Sequence, residues 1–243
     1  MNTASQHLVA EAISVRFGGL EALRAVDLAI GPGEIVGLIG SNGAGKSTLI
    51  NVLSGFQRPT AGAVKLGDRP IGGLSPHLVA RAGIVRTFQA VRLFQDLSVV
   101  NNVAAAAAAL GGSLSTANTL IEMLGLSDLR DQRAGSLSYA HQRRLAIARS
   151  LALKPRFLLL DEPAAGMTPA EVADIKAILL EVRENTGTGM LLVEHNMSLV
   201  MSTCERLVVL DSGRVIARGS PQAVRRDPAV RASYLGEVSG EKQ

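Results

Sequence analysis

Eight consecutive residues, Gly40-Ser41-Asn42-Gly43-Ala44-Gly45-Lys46-Ser47, have the types and spacing to hold a chain of phosphates. Glycines at 40, 43 and 45 allow backbone conformations closed to other residues, so several N–H groups can turn toward one point. The helix expected to follow aims its positive end at the same point. Lys46 adds a charge that can bridge the β- and γ-phosphates of a nucleotide, the Ser47 hydroxyl can take one position on Mg²⁺, and Thr48 continues the cradle. A glycine-rich turn with an exposed lysine is the plainer alternative, but it would not need four fixed positions between a strand and a helix.

Such a loop needs a strand behind it and a helix ahead. Glu34-Ile35-Val36-Gly37-Leu38-Ile39 reads as a short buried strand, and Ser47 to Leu53 carries apolar residues at helical spacing. A second cluster ends another apolar run: Phe157-Leu158-Leu159-Leu160-Asp161-Glu162 is a strand with two acids at its carboxyl end, where ligands of open α/β sheets bind. Asp161 is placed to hold Mg²⁺ through its waters, and Glu162 to polarise the water that attacks a γ-phosphate. Acids at such a turn commonly just cap a helix; the phosphate loop in the same chain favours catalysis. His195 follows Met190-Leu191-Leu192-Val193-Glu194 in the same way, so it falls on the same sheet edge, within reach of the γ-phosphate.

The remaining segments supply the frame. Residues 6–31 alternate apolar and polar positions, break at Gly18-Gly19 and Gly31-Pro32-Gly33, and resume over 62–71, as expected of an antiparallel lobe. From about residue 97 to 153 helical spacing takes over, with an alanine tract from Ala104 to Ala109, then Leu120 to Leu124, then Leu145, Ala148, Leu151 and Ala152. Phe157 to Leu160, Met190 to Val193 and Leu207 to Leu210 read as buried parallel strands, and Ser212-Gly213 turns the chain so that Arg214 to Arg218 pairs back. The expected fold is α/β: a P-loop NTPase with a RecA-like parallel sheet core, an antiparallel β lobe and an inserted helical lobe. Residues 6–88 and 154–220 would form the core with its β lobe, 89–153 the helical lobe and 221–243 a C-terminal tail, all in one domain of 1–243.

With 243 residues, 47% of them apolar, the chain can bury a full α/β core. No apolar segment approaches the ~18 to 20 residues that span a bilayer, and no leader pattern opens the chain, so a cytoplasmic location is expected. The single cysteine, Cys204, has no disulfide partner and no companions for a zinc site, and is expected to be an ordinary half-buried thiol. The formal net charge of +4 is small and its arginines are dispersed, a pattern of solvated surface rather than a nucleic-acid groove. A mildly basic face also suits an anionic membrane leaflet.

In order and approximate spacing, these motifs resemble the nucleotide-binding subunits of ABC transporters over nearly the whole chain. Gly40 to Ser47 and Leu158 to Glu162 match the two nucleotide motifs, and Gln89 in Arg86-Thr87-Phe88-Gln89 matches the glutamine loop. Leu137-Ser138-Tyr139-Ala140-His141, continued by Gln142-Arg143-Arg144, matches the signature, Ala165-Gly166-Met167-Thr168 the loop after the catalytic acid, and His195 the switch histidine. The resemblance implies ATP and Mg²⁺ as the bound cofactors, ATPase chemistry served by Glu162, His195 and Gln89, and metal contacts from Ser47, Asp161 and Gln89. It implies adenine stacked on Phe17, an aromatic that could equally be core. It also implies a dimer in which ATP lies between the loop of one subunit and Leu137 to His141 of the other. Ser138 suits that role, because it sits where a helix starts and positions 145, 148 and 152 line one face behind it.

Three further runs are similar to the ATP-binding subunits of branched-chain amino acid importers, of which urea and short-amide importers are close relatives. They are Arg86 to Gln89 with Arg92-Leu93-Phe94, Asp161 to Met167, and the ending Gly219-Ser220-Pro221, Asp227-Pro228 and Tyr234-Leu235-Gly236. The likeness implies membrane permease subunits, a second ATPase subunit that is a copy or a sibling, and an extracytoplasmic solute-binding receptor reached through the complex. The chain would then sit peripherally on the cytoplasmic face of the membrane. Phe88, Leu93, Phe94 and Leu97 are candidates for the groove of a permease helix, or for core of the helical lobe. The alternative is a soluble ABC ATPase acting on nucleic acid or ribosomes; such proteins generally carry two ATPase domains or a long coiled-coil insertion, and no nucleic-acid partner is expected here. One residue departs from the pattern: Ala140 stands where glycine is usual, and its methyl is expected to crowd the signature backbone against the opposing phosphate.

Overall fold

The structure, a computed structural model, describes residues 7–232, so Tyr234-Leu235-Gly236 lie outside the described residues. In chain order it opens with β1 (Leu8–Phe17), β2 (Leu20–Ile30) and β3 (Ile35–Gly40), then α1 (Lys46–Leu53), β4 (Ala61–Leu66), β5 (Arg69–Pro70), α2 (Pro76–Arg81) and β6 (Ile84–Arg86). Three helices follow: α3 (Val99–Ala108), α4 (Leu114–Met123) and α5 (Tyr139–Leu151). The chain then runs through β7 (Phe157–Asp161), α6 (Pro169–Thr186), β8 (Gly189–Val193), α7 (Met197–Thr203), β9 (Arg206–Asp211), β10 (Arg214–Gly219) and α8 (Pro221–Arg226).

Two sheets result. An antiparallel one has the order β2-β1-β4-β5, and a six-stranded one has the order β10-β9-β3-β8-β7-β6, parallel except for the β9–β10 hairpin. The expected α/β class, with a parallel core and an antiparallel lobe, is the fold observed.

The unbroken apolar runs follow from burial on both faces. Successive side chains of a strand point to opposite sides. Leu158 and Leu160 of β7, Met190 and Leu192 of β8, and Leu207 and Val209 of β9 join one core, which extends without a break through α3, α4, α5 and α6. Phe157 and Leu159, Leu191 and Val193, and Val208 and Leu210 face the other way, into a second core shared with α1 and the antiparallel sheet. The parallel strands therefore have no wet face, and polar side chains appear only where they end. No helix among the described residues is long and apolar enough to cross a membrane.

Close packing sets the spacing between β3 and its neighbours. A Cβ at Gly37 would lie 2.5 Å from Leu207 Cδ2 and 3.0 Å from Cys204 Sγ, so only glycine lets α7 and β9 approach β3 this closely. Cys204 is correspondingly only 7% exposed, buried rather than half-buried as its sequence position suggested. Burial, with the neighbouring Glu205 charge second, pushes its thiol up to about 12 from an ordinary 9.0.

Because the thiolate is the reactive form, native Cys204 should react with a disulfide reagent at pH 8 roughly a thousandfold more slowly than the unfolded chain. The native state holds the thiol proton more tightly than the unfolded state, so this contribution to stability is complete below about pH 9 and is lost as pH rises toward 12. Stopped-flow labelling with and without denaturant checks the first expectation, and urea melts across that alkaline range check the second.

Candidate nucleotide site

The phosphate loop leaves β3 at Gly40 and enters α1 at Lys46. Gly43 and Gly45 have φ of +79° and +105°, in the left-handed region where glycine is favoured. A Cβ on Gly45 would meet Leu23 Cδ2 at 2.7 Å and the Ala22 carbonyl oxygen at 2.8 Å, so the loop is seated directly on β2. Gly213 N–H donates to the Ala44 carbonyl at 3.0 Å and pins the loop from the β9–β10 turn. The Lys46 side chain folds back, its Nζ donating to the carbonyls of Gly40 at 2.6 Å and Ser41 at 2.8 Å. A cavity of about 520 Å³ opens over this loop. It is lined by Asn42 to Thr48, Phe17 and Glu162, with Glu21, Arg24 and the Ser212-Gly213 turn around them. Phe17 is exposed, which removes the reading of it as core.

The other polar groups reach this edge from neighbouring strand ends. Glu162 follows β7 with φ +48°, an uncommon conformation for a non-glycine residue, and its N–H donates to the Val193 carbonyl at 2.9 Å at the end of β8. Gln89 Nε2 donates to Glu162 Oε2 at 2.9 Å, and His195 Nδ1 lies 3.8 Å from Glu162 Oε1. Glu162, Gln89 and His195, separated by tens of residues in the chain, thus converge on one carboxylate. Asp161, one residue earlier and nearly buried, pairs with Arg86 through Oδ2 at 2.8 Å, while its N–H donates to the Thr87 hydroxyl at 3.3 Å. Among the described residues no group of three or more His, Cys, Asp and Glu side chains could hold a metal ion. A divalent ion here would depend on a hydroxyl, one carboxylate and phosphate oxygens, a hard-oxygen donor set suited to Mg²⁺.

Glu194 carries no role in the sequence reading and is fully buried, at 0% exposure. Its Oε1 accepts from Ala164 N–H at 2.8 Å, and its Oε2 accepts from the N–H groups of His195 at 3.1 Å and Asn196 at 3.2 Å. One carboxylate therefore fastens the loop after Glu162 to the loop that carries His195.

The signature residues lie elsewhere. Ser138 caps α5, accepting from His141 N–H at 3.3 Å, with His141 Nδ1 3.0 Å from the same hydroxyl. Leu137 is buried and Tyr139 is 48% exposed. None of Leu137 to His141 lines the cavity over the loop. Ala140 is 6% exposed, so its methyl packs inside its own subunit. The neighbouring Tyr139 is exposed instead, its hydroxyl accepting from Arg143 Nε at 3.0 Å and from Nη2.

The family model for ABC transporter matches residues 23–165, more than half of the chain and all of the loop-to-Glu162 segment. The chain belongs to the ABC transporter ATPase family. A second model, for branched-chain amino acid ATP-binding cassette transporter, matches residues 214–239 of this ABC cassette. It is 40% identical over 245 residues to the high-affinity branched-chain amino acid transport ATP-binding protein LivG of Escherichia coli strain K12, covering 93% of this chain and 96% of that one. It is 38% identical over 236 residues to the lipopolysaccharide export system ATP-binding protein LptB of the same strain, covering 95% and 97%. Among solved structures, the ADP conformation of MJ1267, an ATP-binding cassette of an ABC transporter, superposes with a TM-score of 0.86 at 31% identity, covering 94% of this chain and 98% of that one.

Replacing Glu194 with glutamine leaves the shape but turns one acceptor oxygen into an N–H₂ group facing a backbone N–H. The ABC cassette should lose about 2 kcal/mol of stability. The same change should slow ATP turnover, because it loosens the loops on either side of Glu162. Denaturant melts and turnover on one preparation check both.

Proposed function

We propose that this chain is the ATP-binding and ATP-hydrolysing subunit of an importer of branched-chain amino acids or related small polar and amide solutes. The observation that carries the solute assignment is the match of residues 214–239 to the branched-chain amino acid cassette family. Similarity over the rest of the chain leaves the solute open, since LivG and LptB are nearly equally similar to it.

In this reading the loop from Gly40 to Thr48 holds the phosphates. Lys46 exchanges its two carbonyl partners for β- and γ-phosphate oxygens, and Phe17 at the cavity wall stacks on adenine. Mg²⁺, when bound, neutralises phosphate charge; Ser47, Asp161 and Gln89 are the side chains that would hold it. Glu162 orients the attacking water and takes its proton, Gln89 holds the Glu162 carboxylate in place, and His195 donates to the γ-phosphate. Because Leu137 to His141 do not line the cavity of their own chain, a second ATPase subunit supplies them, and ATP closes the pair. The helix N-terminus at Ser138 suits that contact.

The permease docks beside the glutamine loop. Phe94 and Leu97 are exposed there, which favours the groove over the core reading for them, whereas Leu93 packs against the core. A cavity of about 290 Å³ lies next to them between Phe88, Arg92, Ala106, Arg149 and Leu153. An extracytoplasmic receptor delivers the solute to the permease, and the cassette stays peripheral on the cytoplasmic face of the membrane. No nucleic acid takes part.

Glu162→Gln should keep ATP binding and lose turnover by ~10² to 10⁴. Light scattering should then show ATP-dependent dimers, of this chain with itself or with a sibling ATPase. Unchanged turnover would remove Glu162 from the role of base.

The solute assignment is tested in the assembled complex. Purified from membranes with its permease and receptor, the complex should hydrolyse ATP faster when the receptor is loaded with leucine, isoleucine or valine. Failure to associate with any permease, together with salt-sensitive binding to RNA or DNA, would replace the importer reading with the soluble alternative.

A further inference from the structure

Beyond its pairing with Asp161, Arg86 joins three elements of the site. The side chain stands at the end of β6 and is 9% exposed, against 12% for its partner Asp161. Nη2 donates to Asp161 Oδ2 at 2.8 Å, and Nη1 donates to Asn51 Oδ1 on α1 at 2.5 Å, with Ser54 Oγ at 3.4 Å. Its guanidinium carbon lies 5.0 Å from the centre of the Phe88 ring and 5.9 Å from that of Phe56, and these two rings meet edge to face. One planar group therefore contacts the helix that carries the phosphate loop, the acid at the end of β7, and the residue before Gln89.

We propose that Arg86 is a positioning residue for the metal site. By taking Oδ2 of Asp161 and anchoring itself to Asn51, it fixes the carboxylate in one rotamer and leaves Oδ1 as the oxygen available to a hydrated divalent cation. The guanidinium fork is what makes this work: it bonds two acceptors on two elements at once, which the single ammonium of a lysine does not reproduce with the same geometry. Solvent hardly reaches the pair, so its geometry is held rather than averaged over mobile surface conformers. Outer partners of metal-holding groups commonly matter in this way, orienting the donor without touching the metal. The inference rests on the reading of Asp161 as a metal-site residue.

The test uses the full chain saturated with ADP, with Mn²⁺ as the probe and electron paramagnetic resonance reporting bound metal. Arg86→Lys, which keeps the charge, and Arg86→Gln, which removes it, should each weaken Mn²⁺ binding about 10- to 100-fold. ADP binding in a chelator should match wild type, a split that a merely structural loss would not produce. Asn51→Ala, which loosens the guanidinium without removing it, should shift Mn²⁺ binding the same way by less. If Arg86→Gln does not fold, Arg86→Lys and Asn51→Ala carry the comparison. Wild-type or tighter Mn²⁺ binding in folded Arg86→Lys would overturn the proposal, the tighter case showing that the guanidinium competes with the metal. A wild-type chain that holds no Mn²⁺ beside ADP would overturn the reading of Asp161 itself, and this inference with it.

Discussion

The phosphate loop and the acids beside it are placed by the burial of β3, β7 and β8 on both faces. A strand with one wet face can scatter polar residues along its length. These strands bury every residue from Ile35 to Ile39, from Phe157 to Leu160 and from Met190 to Val193, so their chemistry is displaced to the residue that follows the last apolar one. Parallel direction then does the rest: β3, β8 and β7 are neighbours running the same way, and their carboxyl ends share one edge. The phosphate loop, the Asp161-Glu162 pair and the Glu194-His195 pair meet there because three separate strands stop at the same level.

Sharing an edge brings the groups near one another but does not fix them. That is done by backbone donors and buried charge. Glu194 gives its two oxygens to three N–H groups of two loops, so the turn after Glu162 and the turn at His195 cannot drift independently. Glu162 itself is held by its own N–H on β8 while its φ of +48° turns the carboxylate out of the strand direction toward Gln89. Holding a non-glycine residue in that conformation costs of order 1 kcal/mol or more, and the surrounding bonds of the sheet edge offset it. The candidate site is thus built from side chains gathered at the sheet edge and from a second set, Glu194 and Thr87 among them, that keep the first set still.

The sequence makes the first set legible and hides the second. The glycine-rich loop that leads to Lys46, the pair Asp161-Glu162 and the pair Glu194-His195 each follow an apolar run, and the pattern of run then polar segment needs no knowledge of which strand lies beside which. Glu194 also ends such a run, yet next to a histidine it reads as a bystander; its complete burial was the missing fact. Asn51 and Thr87 become meaningful only once β6 is known to pair with β7, with Arg86 opposite Leu159. Strand order is a property of the fold, not of local spacing. The direction of a side chain at a helix start is equally invisible in a motif: Ala140 and Tyr139 are adjacent, and only the rotation of α5 decides that the methyl goes in and the phenol goes out.

That rotation also bears on how distant parts of the cassette are connected. Arg143 is buried one turn along α5, bonded to the Tyr139 hydroxyl on one side and to the Phe88 carbonyl at 3.1 Å on the other. Phe88 in turn lies 4.5 Å from the guanidinium carbon of Arg92, at the rim of the exposed apolar surface around Phe94, and directly precedes Gln89. The signature segment, the residue beside Glu162 and the candidate permease surface are therefore in contact through a few rigid, planar groups rather than through loop alone. A shift of α5 that moves Tyr139 must either stretch the Arg143 bonds or carry the Phe88 backbone with it. Breaking charge-assisted bonds of a buried guanidinium costs about 1.5 to 3 kcal/mol each, which ties the Phe88 backbone to α5. Contact between the signature and a neighbouring subunit would in this way reach Gln89, and through it Glu162, without any motion inside the sheet.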